Sequence, residues 1–158
     1  MKAVVCHQTN LSVADLPDPV PGPGQLLLEV TRAGICGSDL HARKHADHLA
    51  DIASAVGYLD VMRPDEHVVM GHEFSGRVAG YGPHARGPWS QLTPVVSPPM
   101  IWMGEKVQMT GLSAKAPGAY AERVLVQESL TMDVPNGLAP KTAALTEPMG
   151  GRLARRTA

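Results

Sequence analysis

The chain has 158 residues, 44% of them hydrophobic, which is enough for one domain with a real core and too few for two ordinary ones. Its formal net charge is −1, with acidic and basic residues interspersed, so electrostatics give no reason to expect a nucleic-acid or anionic-membrane partner. Two cysteines far apart make no disulfide framework, and no apolar run approaches a signal-peptide core or a membrane span, so a soluble protein of the reducing cytoplasm is expected.

Sixteen glycines and fourteen prolines cut the chain into short apolar runs, the texture of an all-β barrel or sandwich with a few short helices. Met1–His7 and Leu11–Leu16 are predicted as strands around the turn Gln8-Thr9-Asn10. After the proline-glycine run Pro17–Gly24, the Leu- and Val-rich alternation of Gln25–Ala33 predicts a buried strand that delivers the chain to Gly34 and Cys36. Ala46, Leu49, Ala50, Ala53 and Val56 recur at helical spacing with Gly57 as a stop, which predicts a short amphipathic helix. Phe74–Tyr81 and Ala119–Val126 are further predicted strands, with Val107 at the centre of a shorter one. Gly87–Met103 holds four prolines and both tryptophans without a clear period, so it is predicted as a long surface loop.

The chemistry lies in two segments, G-I-C-G-S-D-L-H at Gly34–His41 and G-H-E-F-S-G at Gly71–Gly76, with T-E-P following at Thr146–Pro148. Cys36, His72, Glu73 and Glu147 offer one thiolate, one imidazole and two carboxylates, ligand types that zinc accepts where a coordination position stays open. Taken singly, Cys36 reads as a small core residue and His72 equally as a hydrogen-bonded structural histidine or a ligand. Because neighbours in a regular strand face opposite ways, His72 and Glu73 can share a metal only if the chain turns there. The coincidence of the glycines, the S-D-x-H continuation and the F-S-G continuation favours a zinc site. His7, His45, His48, His67 and His84 lack such a pattern and are read as ordinary histidines.

With these motifs, and with M-K-A-V-V and L-P-D-P-V-P-G-P-G-Q-L-L-L-E-V earlier in the chain, the sequence resembles the N-terminal catalytic domain of the zinc-dependent medium-chain dehydrogenases. That group acts on alcohols, polyols and threonine, and the resemblance implies a GroES-like β-barrel, mainly β with a few short helices. It also implies that Cys36, His72 and Glu147 are zinc ligands, with Glu73 either a direct ligand or one exchanging with water. Ser38 matches the hydroxyl that bonds the substrate oxygen, and His41 the residue that passes the proton toward solvent. Asp39 is expected to orient a neighbouring histidine or backbone group. A small alcohol or polyol is the implied substrate, and NAD(P) the implied cofactor of the intact family.

Departures from the family pattern carry their own expectations. The stretch after G-E-K-V at Gly104–Val107 holds no cysteine, so the second, structural zinc of many members is expected to be absent. The link from Cys36 to His72 reads as long, with the Ala46–Val56 helix as the insertion, so substrate preference does not carry over. No strand followed by G-x-G-x-x-G occurs, so no dinucleotide site is expected within these residues. Residues 1–146 are accordingly expected to form the zinc-binding catalytic domain, and residues 147–158 the remnant of a linker to a missing Rossmann domain. The ending Gly150–Ala158 can be encoded by a DNA string whose adjacent frame reads A-V-G-W-H-A-V-R, a family-like linker, so a frameshift after Met149 is the expected origin of the tail. A chain truncated in this way is expected to be inactive alone and either to self-associate, as a homo-oligomer, through the face the cofactor domain would cover or to be marginally soluble. The competing reading is a stand-alone binding or interaction module, or one half of a split dehydrogenase. A zinc-dependent lyase or hydrolase has nothing in the sequence in its favour.

Overall fold

A computed structural model describes residues 1–58, 60–135 and 137–150. Strand β1 (Lys2–His7) runs antiparallel to β2 (Asn10–Asp15), with Lys2 opposite Asp15 and His7 opposite Asn10. Gln8 and Thr9 both adopt positive φ, at 47° and 67°, the two-residue turn whose twist suits a hairpin. The free edge of β1 takes β4 (Val68–Val69), and Ala3, Val5 and Val69 bury together against that small sheet.

The larger sheet is built around β3 (Gln25–Ala33), flanked by β5 (Phe74–Tyr81) and β9 (Arg123–Gln127). Beyond β5 come β6 (Pro94–Val96) and then β10 (Met132–Asp133). Alternation in β3 sends Leu26 and Leu28 inward, both fully buried, against Phe74, Val78, Val95, Val124 and Val126. Each such side chain contributes about 1.5–3 kcal/mol of burial. The pairing of β3 with β5 shifts register twice, with Ala79 the extra residue on β5 beside Leu27 and Leu28 and Thr31 the extra residue on β3, and such bulges bend the strand and increase its twist.

Two helices follow β3 where the sequence reading placed one. The expected helix is α2 (Ala46–Ala55); before it, α1 (Gly37–Lys44) begins directly after Cys36. Ala42 and Ala46 on these helices pack with Cys6, Met62, Val68 and Met70, so Cys6 is the small core residue that most free cysteines are. The expected irregular loop Gly87–Met103 is corrected: it contains β6 and also β7 (Met100–Met103), which forms a hairpin with β8 (Lys106–Met109). Pro94 sits at the start of β6, a position that demands no donated hydrogen bond within the strand interior, which is why the prolines misled the reading. The expected strand Ala119–Val126 is regular only from Arg123 as β9, because its first part bonds elsewhere.

Toward the C-terminus α3 (Pro140–Ala143) docks on β5 through a hydrogen bond from the Ser75 hydroxyl to the Pro140 carbonyl, 2.9 Å. Residues 146–150 are again helical and carry Glu147. Of the tail expected to be frameshifted, Gly150–Ala158, residues 151–158 lie outside the described residues. Among the described residues no helix is long and apolar enough to cross a membrane.

Candidate metal centre

Two chain reversals meet at the site. Past the end of β3, Gly34 donates its amide to the carbonyl of Glu73 at 2.8 Å, which pins the two motif segments side by side. A Cβ on residue 34 would run into the Glu73 carboxylate, so glycine is what lets the segments approach this closely. Cys36 keeps extended backbone, φ −87° and ψ 150°, and α1 starts at the next residue, so its side chain stands at the mouth of the helix N-terminus. On the other segment Gly71 has φ +96°, and that turn lets His72 and Glu73 enter the same space before β5 begins.

The outcome is a group of three potential ligands: Cys36, His72 and Glu73 present sulfur, nitrogen and oxygen atoms within 4.8 Å of one another. His72 and Glu73 are buried and Cys36 half-buried. Behind them, Asp39 is only 3% exposed and holds the arrangement together. One of its carboxylate oxygens lies 3.0 Å from His72 Nδ1, and the other accepts the Cys36 amide at 3.1 Å. With Nδ1 committed to Asp39, Nε2 is the ring nitrogen left for a metal, the usual division of labour in a carboxylate–histidine–metal unit. Ser38 Oγ lies 3.1 Å from that Nε2.

The electrostatics are those of a strong acid–base pair. Burial penalises the charged His72 ring, but the Asp39 hydrogen bond and charge, aided by the Cys36 sulfur, outweigh it and raise the His72 pKa from 6.5 to about 9. Burial likewise opposes ionisation of Asp39, yet hydrogen bonds from His72 and Tyr120 hold its pKa below the ordinary value. In the metal-free protein this pair is an ion pair; a metal on Nε2 would displace the proton there.

Other expected site residues are placed as follows. His41 is exposed on α1, its ring tilted against that of His45 with centroids 4.8 Å apart, and it is outside the group of three. Glu147 is also outside that group; with Phe74, Val96 and Met132 it lines a cavity of about 420 Å³. His7 and His67 stack on one another at 4.0 Å, outside the group of three. Sequence reasoning missed Tyr120, whose hydroxyl donates to Asp39 Oδ2 at 2.7 Å. It also missed α1, although Asp39 three residues after Cys36 is the acidic half of a helix-start signal with cysteine standing where serine or threonine is usual.

Residues 22–136 match the family model for the alcohol dehydrogenase GroES-like domain. The chain belongs to this family. The match spans Cys36, Ser38, Asp39, His72, Glu73 and Tyr120. Among GroES-like relatives, (R,R)-butanediol dehydrogenase of Bacillus subtilis is 31% identical over 157 residues, covering 94% of this chain and 44% of the relative. Sorbitol dehydrogenase of Halalkalibacterium halodurans is 27% identical, covering 94% and 43%. A solved structure from Sinorhizobium meliloti, assigned as a zinc-binding dehydrogenase and bound to NADP, superposes with a TM-score of 0.75 at 28% identity, covering 96% of this chain and 43% of that one. The chain thus spans less than half the length of the relatives it matches. It has the mainly β GroES-like fold of their N-terminal catalytic domain.

Proposed function

We propose that this chain is the zinc-binding catalytic domain of an NAD(P)-dependent alcohol or polyol dehydrogenase. The observation that carries the reading is the convergence of Cys36, His72 and Glu73 within 4.8 Å, with Asp39 behind the imidazole. A soft thiolate, an imidazole and a carboxylate suit zinc better than calcium or magnesium, which favour all-oxygen sites. The relatives that act on butanediol and sorbitol support a small alcohol or polyol as substrate. Glu147, outside the group of three in the structure, is proposed as a further ligand by family resemblance, and Glu73 then binds directly or alternates with water. With two cysteines in the whole sequence, one of them in the core, a single zinc is the proposed complement.

Zinc bound there would act as a Lewis acid on an alcohol oxygen and ease loss of its proton. The protein's own groups do the rest. Ser38, 3.1 Å from the metal-facing nitrogen of His72, would accept a hydrogen bond from the substrate hydroxyl and, as it takes up that proton, give up its own. His41, at the surface of the same helix, hands that proton to solvent. Asp39 fixes the His72 ring and the Cys36 backbone at once. A nicotinamide would accept the hydride, and since these residues contain no dinucleotide fingerprint, its site is proposed to lie beyond residues 1–146.

Metal analysis of protein purified from zinc-supplemented medium tests the reading. About one zinc per chain is expected for the natural sequence and close to none for Cys36→Ser, because the thiolate supplies a quarter of a tetrahedral site. Equal zinc content in the two would remove the basis for the proposal. Alcohol-dependent reduction of NAD or NADP by this chain alone would contradict the proposed location of the cofactor site.

A further inference from the structure

We propose that Tyr120 is a positioning residue of the metal centre, acting through Asp39 to hold both Cys36 and His72 in place. The inference rests on Cys36, His72 and Glu73 being the ligand set. It adds a residue from a distant part of the chain to that set's support.

Residues 118–120 are zipped along the stretch that leads into His72. The Gly118 amide donates to the Val69 carbonyl at 2.7 Å, Ala119 to Gly71 at 2.8 Å and Tyr120 to Met70 at 2.9 Å. The Tyr120 carbonyl accepts the Val4 amide at 2.7 Å, so its backbone is held on both sides. The phenol reaches across to Asp39 Oδ2 at 2.7 Å, the oxygen that also accepts the Cys36 amide, while Oδ1 faces His72. One carboxylate therefore joins three groups, and two of them belong to ligand residues.

The surroundings make the hydroxyl hard to replace. Asp39 is 3% exposed, and on its outer side Tyr120 and Asp39 border an open, mostly apolar groove lined by Val4, Leu11, Ile35, Arg43 and Met70. The near-complete burial of the carboxylate itself leaves little room for water to supply a substitute donor. Without the phenol, Oδ2 keeps only the longer amide bond, and the carboxylate is free to rotate about its last torsion, taking the His72 ring with it. The ring itself is held by apolar neighbours, so Tyr120→Phe removes the hydrogen bond and keeps the packing. Loss of such an outer partner typically costs 10–100-fold in metal affinity.

Cobalt(II) titration of the whole chain, followed by visible absorption, tests this with Tyr120→Phe, Asp39→Asn and the double variant. Tyr120→Phe is expected to weaken cobalt binding about tenfold and to move the ligand-field bands, which report ligand geometry. In the Asp39→Asn background the same change is expected to have no further effect on affinity. Unaltered affinity and bands in Tyr120→Phe would overturn the inference. An equal loss in both backgrounds would overturn it too, since Tyr120 would then act independently of Asp39. If the natural sequence binds no cobalt, the ligand-set reading falls and this inference with it. Should Tyr120→Phe not fold, site-specific fluorotyrosine at position 120 keeps the shape and alters only the hydroxyl's donor strength; shifted bands support the proposal and unshifted bands overturn it.

Discussion

Gly71 opens the turn that brings His72 and Glu73 together, and the consequence of filling it can be worked from the coordinates. Its φ of +96° is a conformation that residues with a side chain adopt only under strain, at about 1–3 kcal/mol. A Cβ there would also lie 2.5 Å from Tyr120 Cδ1 and 2.8 Å from the Tyr120 backbone nitrogen, and backbone cannot step aside as a flexible side chain does. Overpacking of that kind adds about 1–3 kcal/mol, so Gly71→Ala should cost roughly 4 kcal/mol in all. At about 2–4 °C per kcal/mol for a domain of this size, the melting temperature should fall on the order of 10 °C. Gly57 supplies the control: its φ is +84°, but a Cβ there meets nothing within 4 Å. Gly57→Ala should therefore show the backbone strain alone, about 1–3 kcal/mol. Thermal and urea unfolding of both variants without metal reads the difference. Equal destabilisation of the two would refute the idea that Gly71 is a contact glycine whose space belongs to Tyr120.

Two further outcomes are expected. In EDTA, His72 contributes stability that is fully present below its unfolded pKa of 6.5 and is lost as pH rises through about 9. A rise from 6.5 to about 9 corresponds to about 3 kcal/mol, so urea unfolding across that window should show a decline in the natural sequence that Asp39→Asn flattens; parallel profiles would contradict the pairing. At the acid end the same contact is lost as Asp39 protonates, since its folded pKa is lowered. Gly34→Ala places a Cβ against the Glu73 carboxylate, a side-chain end that can swing away, so it should weaken zinc binding about tenfold while costing less stability than Gly71→Ala, as titration and unfolding of the same samples would show.

Much of the barrel was legible because its strands alternate or bury in ways local pattern reveals. Leu26 and Leu28 announce β3, and Phe74–Tyr81 reads as β5 with the bounds it has. β6 and β7 were not legible: Pro94, Pro98 and Pro99 punctuate the run, and β6 exists through pairing with β5 and β10, which no local window contains, although β7 pairs locally with β8. α1 escaped because its residues are mostly polar and it buries only Asp39 and Ala42. At the site, Cys36, His72, Glu73 and Asp39 could be picked out by motif, since glycines and polar residues cluster there for steric reasons. Tyr120 could not, as its role arises from a hydrogen bond across 81 positions of sequence. Glu147 was nominated by its ligand type and by resemblance, and in the structure it borders a cavity shared with Phe74.

Zinc K-edge absorption on the zinc-loaded chain tests the central claim most directly, because it counts the sulfur atoms around the metal. Cys6 is buried in a separate cluster, so only Cys36 is placed to contribute. One sulfur scatterer at about 2.3 Å with nitrogen and oxygen neighbours at about 2.0–2.2 Å is the expected shell, and Cys36→Ser should abolish the sulfur signal. A shell of nitrogen and oxygen alone in the natural sequence, or a sulfur signal that survives Cys36→Ser, would contradict the account.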